Sequence, residues 1–275
     1  MLYVGCHLSA SGGNVAMIDT ALQIGANTFA FFTRNPRGSK AKPEDPQDCR
    51  RAVELLKEEN FGPLVAHGAY TMNVCTADPE ARVFAAGVLA DDLRRMAALP
   101  GNYYNFHPGC HVGQGTETGI SQICDALKQA LAPGYPVTVP LETMAGKGSE
   151  IGGRFEELKA IIDGVGSDRV GVCLDTCHVY DAGYDIVNDL PGVLLEFDRV
   201  IGLDRLYALH LNDSKNPFKS HKDRHELLGQ GSLGLKTFEN IVNCEALRGK
   251  PMILETPNDL PGYAEEITAL RQMEI

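Results

Sequence analysis

The 275-residue chain has no tryptophan and no Cys-x-x-Cys pair. The missing pair argues against the thiolate knuckle of the common structural zinc modules. Eight cysteines are nevertheless present, at positions 6, 49, 75, 110, 124, 173, 177 and 244. They read as small core hydrophobes in a reducing compartment. Met1-Leu-Tyr-Val-Gly is already strand-like and carries no basic leader, and no apolar run approaches the length of a membrane span. A cytoplasmic protein with no membrane partner is expected. No Pro/Gly/Ser-rich linker and no low-complexity segment interrupts the chain, so a single domain over 1–275 is expected. Positive charge is also scarce: the formal net charge is −11 and the pI about 5.2. That argues against a non-specific nucleic-acid binder. The same sum arises when a site gathers carboxylates around bound cations, so a DNA partner is not excluded.

What is present is a recurrent apolar run. The stretch Arg169-Val-Gly-Val-Cys-Leu-Asp175 is too short for a helix and too apolar for a surface strand. It reads as a strand buried on both faces, as in an all-parallel sheet. Five more runs have the same form and end in His67, His107, Glu142, His210 and Glu255. Leu2–His7 and Thr28–Thr33 make eight. Between them fall helical patterns near Asn14–Ile24, Asp48–Glu59, Asp78–Leu99, Ile120–Leu131, Phe155–Ile162, Asp189–Ile201, Leu235–Asn243 and Tyr263–Met273. Eight strands alternating with eight helices predict an α/β fold of the (β/α)8 TIM barrel type. The rival is an open doubly wound sheet, in which ligand-type residues cluster at one switch point. Here they end strands from one part of the chain to the other.

In a barrel all strand ends open into one bowl. The ends supply His67, His107, Glu142, Asp175, His210 and Glu255, and the following loops add His178, Asp223 and His225. A lone His or Asp at such a place is more often structural, through a hydrogen bond or a cap. Four carboxylates and five imidazoles together are a different matter, because like charges repel and buried carboxylates need partners. Divalent cations resolve this. Mixed His and Asp/Glu without thiolate suits zinc or manganese. Nine ligands, with one carboxylate shared, fit three ions better than one. Such clusters hydrolyse phosphodiesters well. Two basic stretches, Arg34–Lys42 and Lys215–Arg224, follow strands on the same face and could meet a nucleic-acid backbone.

Five motifs carry a resemblance: Asn105-Phe-His-Pro-Gly109, Leu141-Glu-Thr-Met-Ala-Gly-Lys-Gly148, Gly171-Val-Cys-Leu-Asp-Thr-Cys-His178, His210-Leu-Asn-Asp-Ser-Lys215 and Asp223-Arg-His-Glu-Leu-Leu-Gly-Gln-Gly231. With them the chain resembles the endonuclease IV family, the apurinic/apyrimidinic endonucleases of base-excision repair, over nearly its whole length. The resemblance implies a trinuclear zinc site, with manganese possible in part. His67, His107 and Glu142 would hold one ion. Glu142, Asp175, His210 and Glu255 would hold a second, so that Glu142 bridges and is the residue on which catalysis depends. His178, Asp223 and His225 would hold the third. The implied reaction is hydrolysis of the phosphodiester 5′ to an abasic site in double-stranded DNA, leaving a 3′-hydroxyl and a 5′-deoxyribose phosphate, by a monomeric enzyme. Arg37 and Tyr70 match positions in the family's DNA-inserting loops. Thr71 stands where the family commonly has a larger apolar residue. A metal-dependent sugar isomerase or epimerase of the related xylose isomerase-like barrels is the alternative. The set His178, Asp223, His225 separates the two, since an isomerase needs no third ion. A non-catalytic metal-binding barrel would instead have a saturated site.

Overall fold

The computed structural model describes residues 1–275. The strands are β1 (Tyr3–Leu8), β2 (Ala30–Phe32), β3 (Val65–His67), β4 (Tyr103–Asn105), β5 (Val139–Glu142), β6 (Val170–Asp175) and β7 (Leu206–Leu211), then a short pair, β8 (Asp213–Ser214) and β9 (His225–Glu226), and finally β10 (Pro251–Leu254). Eight of these hydrogen-bond in the order β4-β3-β2-β1-β10-β7-β6-β5, and β8 pairs with β9 apart from them. Every pair in the eight is parallel. The edges β4 and β5 meet through bridges Tyr103–Thr138 and Phe106–Leu141, so the sheet closes on itself. This is a TIM barrel, not an open sheet with two free edges.

Nine α-helices accompany the strands: α1 (Asn14–Gln23), α2 (Pro46–Glu58), α3 (Pro79–Met96), α4 (Thr116–Leu131), α5 (Phe155–Val165), α6 (Thr176–Ala182), α7 (Leu190–Val200), α8 (Leu235–Val242) and α9 (Leu260–Met273). Eight follow the expected pattern, with some ends displaced. α2 starts at Pro46 because the Asp45 carboxylate accepts from the amides of Gln47 and Asp48, ahead of the apolar repeat. α9 starts at Leu260, ahead of the expected Tyr263, for the same reason: Asp259 caps it and Pro261 occupies its first turn. α6 is absent from the sequence expectation. It follows β6 directly, has only seven residues, and buries Thr176 through Asp181, so it shows no amphipathic period. Asp175 caps it by accepting from the amide of His178 at 2.8 Å. His178 therefore sits in a helix and not, as the sequence suggests, in a loop. None of the helices is long and apolar enough to cross a membrane.

Strand side chains alternate between two environments. A large cluster, including Val4, Cys6, Phe29, Phe31, Leu141, Val172 and Leu209, packs between the strands and the helices. A second, small cluster of Ala30, Val65, Cys173, Ala208 and Ile253, with Tyr103 against it, fills the barrel's axis. Because the strand period is two, the residue two positions further along each strand points the same way. Above Val65 comes His67, above Cys173 Asp175, above Ala208 His210, and above Ile253 Glu255. Register levels them: Asp175 pairs with His210, and His67 with Asn105. The apolar plug thus aims the polar tier at the barrel's mouth. All eight cysteines are free, and six are buried.

Gly5 shows how closely β1 is approached. A Cβ there would collide with the carbonyl oxygen of Thr28, in the backbone leading into β2. Gly5→Ala should cost about 1–3 kcal/mol, read as a lower urea midpoint, since backbone and not a movable side chain must yield. An unchanged midpoint would show that the close approach does not constrain the barrel.

Candidate metal centre

All nine anticipated side chains converge at the mouth. The ligating atoms of His67, His107 and Glu142 lie within 4.8 Å of one another, as do those of Glu142, Asp175, His210 and Glu255, and those of His178, Asp223 and His225. Glu142, buried at the end of β5, joins these sets. Its Oε2 lies 3.1 Å from His67 Nε2 and 3.5 Å from His107 Nε2. Its Oε1 lies 3.3 Å from His210 Nδ1 and 3.4 Å from His178 Nδ1. Asp223 Oδ1 stands 3.1 Å from His178 Nε2 and 3.5 Å from His225 Nε2. Asp175 and His225, 3.8 Å apart, link the second and third sets. Two overlapping groupings exist, His67–His210–Glu255 and Asp175–Cys177–His225. The latter is the poorer, because burial, aided by Asp175, pushes the Cys177 thiol up to about 12 and away from the thiolate a cation needs.

The imidazoles are held from behind. Nδ1–H of His67 donates to the carbonyl of Gly68 at 2.7 Å, that of His178 to Thr143 at 2.8 Å, and that of His225 to Glu255 at 3.2 Å. A carbonyl can only accept, so each ring carries a proton on Nδ1 and aims Nε2 into the bowl. The carboxylates are oriented too. Asn105 Nδ2 donates to Glu142 Oε2 at 2.6 Å, and Asn212 Nδ2 donates to Asp175 Oδ2 at 2.6 Å. The front atoms, by contrast, lack hydrogen-bond partners although buried: Glu142 Oε1, His178 Nε2, both nitrogens of His210, and His225 Nε2. Carboxylate oxygens and ring nitrogens that converge without hydrogen bonds, the nitrogens offering lone pairs once their rings are neutral, fit a cation.

The electrostatics agree. Burial would raise the Glu142 carboxyl, but the imidazoles of His210 and His107 hold it well below the usual range. Burial raises Glu255 as well, and His210 and His7 more than reverse it. Partial burial would raise Asp223, but His178 brings it to about 2. Asp175 alone among the four ends raised, because its burial outweighs His178 and His225. Burial would lower His178 and His210, yet the facing groups, Asp175 first for one and Cys173 and Glu255 for the other, lift both well above the ordinary 6.5.

Four supporting residues escaped the sequence reading. Asn105 and Asn212 stand two positions from His107 and His210, and the strand period alone places them on the same face. Asp181 and Asp213 build the strap that carries Asp223 and His225. That strap, residues 215–224 with β8 and β9, is strained: Lys219, His221 and Asp223 have φ of 61°, 54° and 58°. Asp181 Oδ2 accepts from the Asp223 amide at 3.1 Å, and its Oδ1 from Ser214 Oγ at 2.8 Å. The buried Asp213 carboxylate accepts from the amides of Ser214, Gly229, Gly231, Leu233 and Gly234. Nothing in residue type alone marks these two as different from surface acids.

The suggested DNA contacts lie on neighbouring loops. Tyr70 is 59% exposed, with its ring 5.8 Å from that of His67 and 5.0 Å from Phe32, at the rim of the bowl. Arg37 and Thr71 are exposed on the loops after β2 and β3. The basic stretch Arg34–Lys42 requires one correction. Arg34 is only 8% exposed and is neutralised by Asp91 and Asp92, so it is not a free cation for phosphate. Sequence counts its charge, but the carboxylates that cancel it lie on α3, far away in the chain.

A closed parallel barrel whose strand ends converge on clustered His and carboxylate groups is the architecture of the xylose isomerase-like TIM barrels. Residues 18–273 match that family, described as "Xylose isomerase-like TIM barrel". A protein of Alkaliphilus oremlandii named "Probable endonuclease 4" is 59% identical over 273 residues, 99% of this chain and 97% of its own. One of the same name from Akkermansia muciniphila is 59% identical over 99% of both chains. The crystal structure of endonuclease IV from Thermus thermophilus superimposes with a TM-score of 0.86 at 33% identity, covering 98% of each chain. The chain belongs to the endonuclease IV family, and is a nuclease. A D-tagatose 3-epimerase-like protein, at 15% identity and a TM-score of 0.72, shares the fold alone.

A pH dependence follows for chelator-treated protein. An imidazole raised in the folded state stabilises most fully below its unfolded value of 6.5, and that contribution is lost as pH rises through the folded value. Thermal midpoints should therefore fall as pH rises above 6.5, and His210→Asn should flatten the decline. A parental midpoint that stays constant on the alkaline side would contradict the charged-imidazole arrangement.

Proposed function

We propose that this chain is a zinc-dependent apurinic/apyrimidinic endonuclease that hydrolyses the DNA phosphodiester 5′ to an abasic site, leaving a 3′-hydroxyl and a 5′-deoxyribose phosphate. The observation that carries the reading is the bowl itself, in which the buried Glu142 Oε1 and ring nitrogens of His178, His210 and His225 face one another without hydrogen-bond partners. In this reading His67, His107 and Glu142 hold one zinc, Glu142, Asp175, His210 and Glu255 a second, and His178, Asp223 and His225 a third, with manganese able to replace zinc in part. Ions of this kind, when bound, supply Lewis-acid stabilisation to a phosphoryl group and make water easier to deprotonate. Glu142 keeps two of the sets at a fixed separation through its two oxygens. Asn105 and Asn212 fix the carboxylate planes, and the carbonyls of Gly68, Thr143 and Glu255 fix the imidazoles. Asp223 and His225, on the strap, complete a set that an isomerase has no use for, and this favours phosphodiester cleavage over sugar isomerisation.

Substrate recognition falls to the loops. Arg37 would meet backbone phosphate, and Tyr70, above the rim, would stack on or beside an unstacked nucleotide step. Thr71 offers a small side chain beside it. The reading includes a monomer acting in the cytoplasm, a compartment that suits eight free cysteines.

Glu142→Gln should lower nicking of an abasic duplex by about a thousandfold or more, with the circular dichroism spectrum unchanged. Nicking at the parental rate would remove Glu142 from its bridging role. Chelation should abolish nicking by the parent, and zinc should restore it; isomerisation of a ketose without nicking would favour the epimerase reading. Arg37→Ala should weaken duplex binding more than it slows cleavage at saturation. It should also reduce the slope of log affinity against log salt by about 1. Equal affinity across the salt series would count against an Arg37 phosphate contact.

A further inference from the structure

The loop that bears Arg37 leaves β2 at Thr33 and reaches α2 only at Asp45. Within it, Asn35 N donates to the carbonyl of Lys40 at 3.1 Å, and the Asn35 side chain accepts from the amide of Arg37 at 3.0 Å. These contacts shape the tip but do not attach it to the barrel. Apart from Lys42 Nζ, which donates to the Ser11 carbonyl at 3.0 Å, the attachment comes from α3. Arg34 Nε and Nη2 donate to Asp92 Oδ1 at 2.9 and 2.7 Å, and Nη2 also reaches Asp91 Oδ2 at 2.9 Å. With its remaining nitrogen, Nη1, Arg34 donates to the carbonyl of Ser39 at 2.7 Å, on the returning arm of the loop. Further along, Arg95 Nη1 donates to the carbonyl of Lys42 at 2.8 Å, and Arg94 Nη1 pairs with Glu44 at 2.9 Å.

Asp92 is fully buried, and its other oxygen accepts from the Tyr104 hydroxyl, on β4, at 2.6 Å. The anchor is thus rooted in the barrel wall. A second loop is coupled to it, because the amide of Tyr70 donates to the carbonyl of Pro36 at 3.1 Å. Burying a carboxylate and a guanidinium together is costly unless every hydrogen bond is made. Here the guanidinium makes four such bonds, to Asp91, Asp92 and the Ser39 carbonyl, and one cation ties the loop to the helix.

We propose that Arg34 is a positioning residue for the substrate: its clamp on Asp92 sets the attitude in which Arg37 and Tyr70 meet the duplex, without itself touching phosphate. This rests on the duplex-cleavage reading above. It takes Arg34 out of the charge count that steers DNA and makes it the reason the neighbouring cation is aimed.

Arg34→Lys keeps the charge but not the fork. It should raise KM for an abasic duplex about tenfold while kcat changes less than about threefold. Asp92→Asn, at a site sealed from solvent, should reproduce that split. In the Arg37→Ala background, Arg34→Met should leave the salt slope of binding unchanged, because Arg34 itself meets no phosphate; a further reduction of about 1 would overturn the proposal. Limited trypsinolysis provides a readout independent of DNA. The Arg37–Gly38 and Lys40–Ala41 bonds should be cut about tenfold faster in Arg34→Lys than in the parent, since a released loop is the preferred nicking site. Equal cutting, or an unchanged KM in a folded variant, would overturn the clamp. Where Arg34→Lys fails to fold, Tyr104→Phe removes only the hydroxyl behind Asp92 and should shift cutting and KM in the same direction; no shift would count against the proposal. A parent that does not nick abasic DNA would refute the functional reading, while the trypsin comparison would still decide whether Arg34 holds the loop.

Discussion

The structure depends on one buried carboxylate. Glu142 ends β5 with no exposure, and its two oxygens face in different directions, one toward His67 and His107 and the other toward His178 and His210. A lone anion at that depth would be driven to neutrality. The imidazoles of His210, His107 and His178 keep it charged against its burial, and in turn it helps raise them. In the absence of cations this is a stalemate of protons. In the proposed reading, cations turn it into two coordination spheres sharing one ligand.

The rest of the fold makes that arrangement tolerable. Small apolar residues plug the axis one tier below and fix which side chains point upward. Backbone carbonyls take the Nδ1 protons of three histidines, and two asparagines hold the carboxylates. The strap is different in kind. Its three left-handed non-glycine residues are tied down by Asp181 and by His221, whose Nδ1–H donates to the carbonyl of Ala145 at 2.9 Å. Strain there is compensated by contacts to the barrel and leaves Asp223 and His225 aimed at His178.

Much of this is legible in the sequence. A run such as Val170–Asp175 announces a doubly buried parallel strand, and polar residues at the ends of such runs must share one opening when the sheet closes. That logic brings the strand-end residues of the bowl together in the order the structure shows. It reaches His178 too, but sets it in a loop, because α6 is buried on all sides and has no polar face to betray a helix. The same logic cannot see Arg34 as bound. Its partners are 57 and 58 residues away in sequence, and charge is counted locally when only a sequence is in hand. Asp181 and Asp213 are invisible for a related reason: the partners of Asp213 are backbone amides, which nearly every residue has, and those of Asp181 lie 33 or more residues away.

The central claim is that the unpartnered side chains of the bowl are the ligands of a cation cluster. Elemental analysis of the protein, purified without chelator and dialysed against metal-free buffer, tests it most directly. The expected content is about three zinc ions per chain, part of it replaceable by manganese. A folded protein that retains no more than one ion, even after loading with excess zinc, would contradict it.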